Sequence, residues 1–79
     1  MRRMDTQPRI TSSALRHGIA PDDIRHAVAH PLFVFDLQEG LVMVIGAGRS
    51  AVLLEIGIVE SPQSQMVVHA MVARRKFLR

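Results

Sequence analysis

The sequence predicts a small α+β domain in which two N-terminal helices pack on a four-stranded antiparallel meander. Three observations predict it: helical spacing of apolar residues before Pro31, apolar runs rich in β-branched residues after it, and short turns between these runs. The chain has 79 residues, which is enough for one domain. We expect that domain to span residues 9–79, after a flexible tail at residues 1–8.

The two helices are predicted from their start and stop signals. Hydroxyl side chains at residues 11–13 can cap a short first helix through residues 14–16, which Gly18 ends. The second helix begins at Pro21, because proline suits the first helical turn and the two aspartates after it favour the helix dipole. It ends before Pro31, since the residue before a proline is disfavoured in a helix.

The four strands are predicted at residues 32–37, 41–46, 51–59 and 66–72. Arg9 and Ile10 are compatible with a short edge strand, and residues 73–79 with a helical turn or a tail. Side chains alternate between the two faces of a strand. We therefore expect Glu55 and His69 to share the face away from the helices, with Glu55 opposite His69 or Met71 and within reach of a cross-strand pair. The set expected to face the helices is Val52, Leu54, Ile56 and Ile58.

Composition excludes several classes of protein. Hydrophobic residues make up 48% of the chain, which is not the composition of a disordered protein. There is no cysteine, no apolar segment like that of a signal peptide near the start, and no apolar run near the roughly 20 residues that span a bilayer. We expect a cytoplasmic protein without a membrane partner. So small a core predicts reinforcement by a partner chain, as a homodimer or a hetero-oligomer.

Basic residues are concentrated at both ends of the chain. The net charge is +3, nine of the ten cations are arginine, and residues 61–79 carry four cations and no acid. Arginine matches the geometry of phosphate, so this pattern favours a polyanionic partner. An ordinary solvated end remains the alternative.

Three segments in order resemble BrnT-type toxins, the toxin halves of bacterial type II toxin–antitoxin systems in the RelE/ParE-like superfamily. LRHGIAPDDIRHAVAHPL resembles the family's KHG-V-S…DPL segment, VMVIGAGRSAVLLEIGIV its IG-x-S-x-x-G strand pair, and VVHAMVARRKF its RIISARKATRRE signature. The resemblance covers about residues 10–78. It implies a RelE-like fold and an endoribonuclease (mRNA interferase), acting on RNA either free or on the ribosome. It also implies a cognate antitoxin that neutralises the toxin and contacts operator DNA.

Residue by residue, the match includes two departures. His17 and Gly18 match the family's His-Gly, and Ala70 and Ala73 match the alanines of its signature. His69 stands where the family has serine, and Met71 stands where it has the arginine expected to bind phosphate. Whether Met71 abolishes catalysis is left open, so the alternative is a non-catalytic module that binds an antitoxin or contributes to operator-DNA autoregulation.

Metal-independent RNA cleavage needs a base, an acid and cations at the phosphate. The predicted catalytic residues are His69 as base or acid, Arg74 as phosphate clamp, and Glu55, which could orient or replace the imidazole. The predicted RNA-binding residues are Arg49, Arg74, Arg75, Lys76 and Arg79. If the protein is catalytic, His69 should converge with Arg74 or Arg75 on one pocket. His69 as a solvated strand residue without a role is the simpler alternative.

No cofactor and no metal are predicted. His26 and His30 are four residues apart on the second helix, but no third ligand is implied. His17, just before Gly18, is interpreted as a residue at a helix C-terminus, where the dipole favours its positive form.

Overall fold

A five-stranded mixed sheet and one α-helix make up the protein in the computed structural model, which describes residues 8–78. The strand order is β1-β5-β4-β3-β2, and only the β1–β5 pair is parallel. The predicted tail lies, apart from Pro8, outside the described residues. The elements are β1 (Arg9–Ile10), a 3₁₀ turn (Ser12–Leu15), α1 (Pro21–Ala29), β2 (Pro31–Asp36), β3 (Leu41–Ala47), β4 (Leu53–Glu60), β5 (Gln65–Val72) and a second 3₁₀ turn (Arg75–Phe77).

The predicted first helix is wrong, because the chain forms only the four-residue 3₁₀ turn Ser12–Leu15 there. The hydroxyl of Thr11 donates to the carbonyl oxygen of Val67 at 2.8 Å, and that of Ser13 donates to Val68 at 3.0 Å. These hydroxyls therefore tie the turn to β5 instead of capping helical N–H groups. Short hydroxyl side chains favour such contacts over a helix interior.

The predicted four-stranded antiparallel meander is also wrong. Residues 32–72 do form four antiparallel strands, but β1 adds a fifth strand that runs parallel to β5, with Arg9 opposite Met66 and Ile10 opposite Val67. The hydrogen bond from the N–H of Thr11 to Val67 continues this pairing. The observed architecture is thus one helix on a mixed sheet, and the RelE-like arrangement of two helices on four antiparallel strands is corrected.

Helix α1 begins at Pro21 and ends before Pro31, as the sequence predicts. Its buried residues Ile24 and Ala27 pack on the sheet with the core side chains of β3, β4 and β5. Gly46 allows the close approach, because a Cβ at this position would overlap the carbonyl oxygen of Ala27. Within residues 8–78, no helix has the length and apolar character needed to cross a membrane.

The two faces of the sheet are covered differently. Leu54, Ile56 and Ile58 face the helix, as predicted, whereas Val52 lies in the turn before β4 and is 47% exposed. The opposite face is crossed by the segment after β5, which we call the C-terminal segment (residues 73–78). Its Phe77 ring lies 5.8 Å from that of Phe35 on β2. The C-terminal segment thereby brings Arg74 to the candidate site.

Candidate functional site

Glu55 is a fully buried carboxylate in the middle of the sheet. It lies on β4, opposite Ile45 of β3 and Met71 of β5. It alternates with the helix-facing Leu54 and Ile56, so it points to the face that the C-terminal segment crosses. A buried carboxylate is costly unless it is paired and hydrogen-bonded.

Both carboxylate oxygens of Glu55 accept hydrogen bonds. Arg74 donates its backbone N–H to Oε1 at 2.8 Å, its Nε–H to both oxygens at 3.1 Å, and its Nη2 to Oε2 at 2.8 Å. His69 places Nε2 at 2.8 Å from Oε2. The three predicted catalytic residues therefore come together around one carboxylate.

These contacts fix the protonation of the cluster. Burial of the Glu55 carboxyl raises its pKa, but the hydrogen bonds from Arg74 and His69 outweigh burial and lower the pKa to about 2. The ionised carboxylate can only accept, so the Nε2 of His69 must carry a proton. In the neutral ring the lone pair is then on Nδ1, which has no hydrogen-bond partner among the described residues. The side chain of His69 is 29% exposed, and a neutral imidazole nitrogen without a partner can accept a proton.

Gly57 makes room for the imidazole. It lies directly opposite His69 in the ladder, and a Cβ built on it would be 3.0 Å from the Cβ of His69 and 3.8 Å from its Cγ. The His69 ring can therefore lie over the backbone of β4 and reach Glu55. Sequence reasoning missed this role, although a glycine inside a strand is a recognised signal of close approach.

The C-terminal segment carries the cations of the site. Arg74 donates hydrogen bonds from Nε and Nη2 to Glu55. Its Nη1 has no acceptor within residues 8–78, and its side chain is 47% exposed. The guanidinium of Arg74 and the ammonium of Lys76 lie 5.6 and 5.2 Å from the centroid of the Phe77 ring. Arg75 and Lys76 are exposed beside them. Arg79 is outside the described residues.

A second histidine adjoins the cluster and was not predicted as a site residue. The ring of His17 lies 5.9 Å from that of His69, with an angle of 75° between the planes. His17 follows the first 3₁₀ turn, and Gly18 after it has a φ of +78°. The predicted position at a helix C-terminus does not exist, because no α-helix forms there. The two histidines are 52 positions apart in the sequence, so no local pattern indicates the pair.

Arg49 is placed elsewhere in the molecule. Its Nε is 2.9 Å from Asp23, its Nη1 is 3.6 Å from Asp22, and its backbone N–H also donates to Asp23. These contacts tie the turn between β3 and β4 to the start of α1. They raise the pKa of Arg49 and lower that of Asp23, chiefly through the side-chain hydrogen bond between the two. Arg49 is thus on the helix side, apart from the Glu55 cluster.

His26 of α1 and His30, the residue after the helix, each place a ring nitrogen at hydrogen-bonding distance from a backbone carbonyl. Nδ1 of His26 lies 2.8 Å from the oxygen of Ala47, and Nδ1 of His30 lies 3.0 Å from the oxygen of His26. In the described part of the chain, no three His, Asp or Glu side chains are grouped so as to hold a metal ion.

An open cavity of about 180 Å³ lies away from this cluster, with Ile19 and Asp23 among its walls. His69 and Arg74 converge on the Glu55 carboxylate, outside that cavity. The arrangement supplies an oriented imidazole, a second imidazole and a partly free guanidinium at one place on the surface. No family model, curated protein or solved structure matches the chain.

Proposed function

We propose that this protein is a BrnT-type toxin, an endoribonuclease that cleaves RNA without a metal ion and is held inactive in the cytoplasm by a cognate antitoxin. The observation that carries the proposal is the cluster of Glu55, His69 and Arg74. In this proposal the antitoxin also provides the contact with operator DNA.

The geometry of the cluster supports a division of roles. Glu55 orients His69 through Nε2, which leaves Nδ1 as the proton acceptor for the 2′-hydroxyl of RNA. Arg74 uses one edge of its guanidinium for Glu55 and keeps Nη1 for a phosphate oxygen. A cation held in place by a buried carboxylate is positioned before substrate arrives, which favours stabilisation of developing charge.

The RNA-binding surface in this proposal is the exposed side of the C-terminal segment. Arg75 and Lys76 stand beside Arg74, and no carboxylate of the described residues forms an ion pair with either of them. Cations without an acidic partner are available to phosphates. Arg49 is not part of this surface, and we assign it to the contact between turn and helix.

The experiment is cleavage of end-labelled mRNA by the purified protein, with and without translating ribosomes. Wild type is compared with His69→Gln, with the triple variant His69→Ala, Arg74→Ala, Arg75→Ala, and with Arg25→Ala. Arg25 is an exposed cation on α1, on the other side of the sheet, and its removal controls for loss of charge.

We expect wild type and the Arg25 variant to cut at the same positions, and His69→Gln to lose about 10²-fold or more in rate. The triple variant should be inactive. Cleavage that persists in the triple variant would indicate a contaminating nuclease. A folded wild-type protein that cuts in neither format would overturn the ribonuclease proposal.

A second candidate function is a non-catalytic module that binds its antitoxin, and the edge strand β2 favours it. β2 closes one side of the sheet, and Leu32, Phe33 and Val34 on it are 60%, 46% and 60% exposed. An exposed apolar edge presents unpaired backbone groups to another strand. Val34→Lys should abolish binding of a co-expressed antitoxin strand. A folded protein that binds the antitoxin through β2 but never cleaves RNA would favour this candidate.

A further inference from the structure

The two imidazoles at the site differ in how they are held. His69 is fixed by Glu55 through Nε2, whereas His17 makes no hydrogen bond to the described residues and is exposed. Their rings are nearly perpendicular and their centroids are 5.9 Å apart. One imidazole is therefore oriented by a carboxylate, and a free one lies directly beside it.

The distance between the rings suits one phosphodiester group. Cleavage through the 2′-hydroxyl needs a proton taken from O2′ and a proton given to O5′ on the other side of the phosphorus. These two oxygens flank a single phosphorus atom, so the two groups that exchange protons must lie within a few ångströms of each other. The Glu55, His69 and Arg74 cluster supplies the base and the cation but no free acid.

We propose that His17 is the general acid of this site and protonates the leaving 5′-oxygen, an inference that rests on the proposed ribonuclease function. In the step, Nδ1 of His69 takes the proton of the 2′-hydroxyl, O2′ forms a bond to phosphorus, and the bond from phosphorus to O5′ breaks. The electron pair leaves with O5′, which takes a proton from the imidazolium of His17. The products are a 2′,3′-cyclic phosphate and a 5′-hydroxyl, and both histidines return to their starting states by exchange with water.

The route of the chain explains how His17 reaches the site. The 3₁₀ turn Ser12–Leu15 is tied to β5 by the hydroxyls of Thr11 and Ser13. The next residues turn at Gly18, whose N–H donates to the carbonyl of Leu15 at 3.1 Å. The segment that follows the first 3₁₀ turn thus brings His17, the acid, to the site, while β5 carries His69, the base.

The test replaces the leaving group. An mRNA is prepared with a single 5′-bridging sulfur at the mapped cleavage site, beside the same RNA with the natural oxygen, and is offered in the format that wild type cuts. A thiolate leaves without protonation, so a missing acid matters only for the oxygen substrate. Wild type, His17→Gln, His69→Gln and Arg25→Ala are compared, each with its far-ultraviolet circular dichroism to show that it is folded.

We expect His17→Gln to lose about 10²-fold or more on the oxygen substrate and to come within about tenfold of wild type on the sulfur substrate. His69→Gln should be slow on both, because the base is needed in either case. Equal losses for His17→Gln on the two substrates, or no loss on the oxygen substrate, would overturn the role of His17 while leaving the ribonuclease intact. Failure of folded wild type to cleave either substrate would overturn both proposals.

Discussion

Replacing Glu55 with glutamine should remove a pH-dependent part of the protein's stability. The pKa of the Glu55 carboxyl is about 2 in the folded protein, against an ordinary value of 4.5. That lowering corresponds to about 3 kcal/mol at neutral pH. Because Arg74 is half exposed, solvent screening reduces the value, and we expect Glu55→Gln to lose about 2 kcal/mol. The total free energy of unfolding of a chain of this length is only about 4–12 kcal/mol.

The sign of the pH dependence follows from the direction of the pKa change. A carboxyl whose pKa is lowered on folding contributes its full stability above pH 4.5 and loses it as the pH falls toward 2. Before screening, the loss is about 1 kcal/mol at pH 4 and about 2 kcal/mol at pH 3. The free energies of unfolding of wild type and Glu55→Gln should therefore converge on acidification.

The assay is urea unfolding followed by circular dichroism at pH 7, 5, 4 and 3. Glu60→Gln is the matched control, because Glu60 is an exposed carboxylate at the end of the same strand, bonded to Gln65. We expect the control to stay within about 0.5 kcal/mol of wild type at pH 7. A difference in free energy of unfolding between wild type and Glu55→Gln that stays constant from pH 7 to pH 3 would refute the role of the ionised Glu55 carboxylate.

Three further substitutions test the packing around the site. Gly57→Ala should cost about 1–2 kcal/mol and move the ring of His69, so an unchanged ¹⁵N chemical shift of its Nε2 would contradict the proposed contact. Gly46→Ala should lower the free energy of unfolding by about 2–3 kcal/mol, because the new methyl group overlaps the backbone of α1. An unchanged Tm in thermal unfolding would contradict this close approach of helix and sheet. Phe77→Ala should cost about 1–2 kcal/mol through lost contact with Phe35, and should speed amide exchange in the C-terminal segment, whereas wild-type exchange rates would exclude docking by this ring.

Period-2 alternation allowed the candidate site to be predicted more closely than the architecture. Alternation along β4 places Glu55 on the face opposite the helix-facing Leu54 and Ile56, and His69 stands on that same face, opposite Gly57. The bulge beside Gly57 interrupts the alternation of β5 before His69, so only the part from His69 onward follows the simple pattern. Arg74 lies two residues after the end of β5, and the register that places Met71 opposite Glu55 brings it to the carboxylate. The sequence therefore contained most of the cluster.

The prediction of a first helix failed for a specific physical reason, whereas the short edge strand at Arg9 and Ile10 is confirmed. Thr11 and Ser13 have two uses for their hydroxyls, as helix caps or as donors to another strand, and sequence does not show which acceptor is near. The carbonyls of β5 provide the acceptors, so β1 joins the sheet and the helix does not form. The position of His17 depends on the same contact, which is why its place beside His69 could not be predicted.

Glu55 links the stability of the fold to the geometry of the site. The carboxylate holds the C-terminal segment through Arg74 and orients the imidazole of His69, and both contacts use the same oxygen, Oε2. If the segment undocks, the carboxylate loses its strongest donors and becomes exposed, so it no longer fixes His69 in one orientation. Occupation of this face by a partner that displaced Phe77 would therefore disable the site without touching His69 or RNA. If the proposed function holds, an antitoxin that bound in this way would inhibit by taking the cluster apart, and Phe77→Ala should then slow RNA cleavage by the isolated protein.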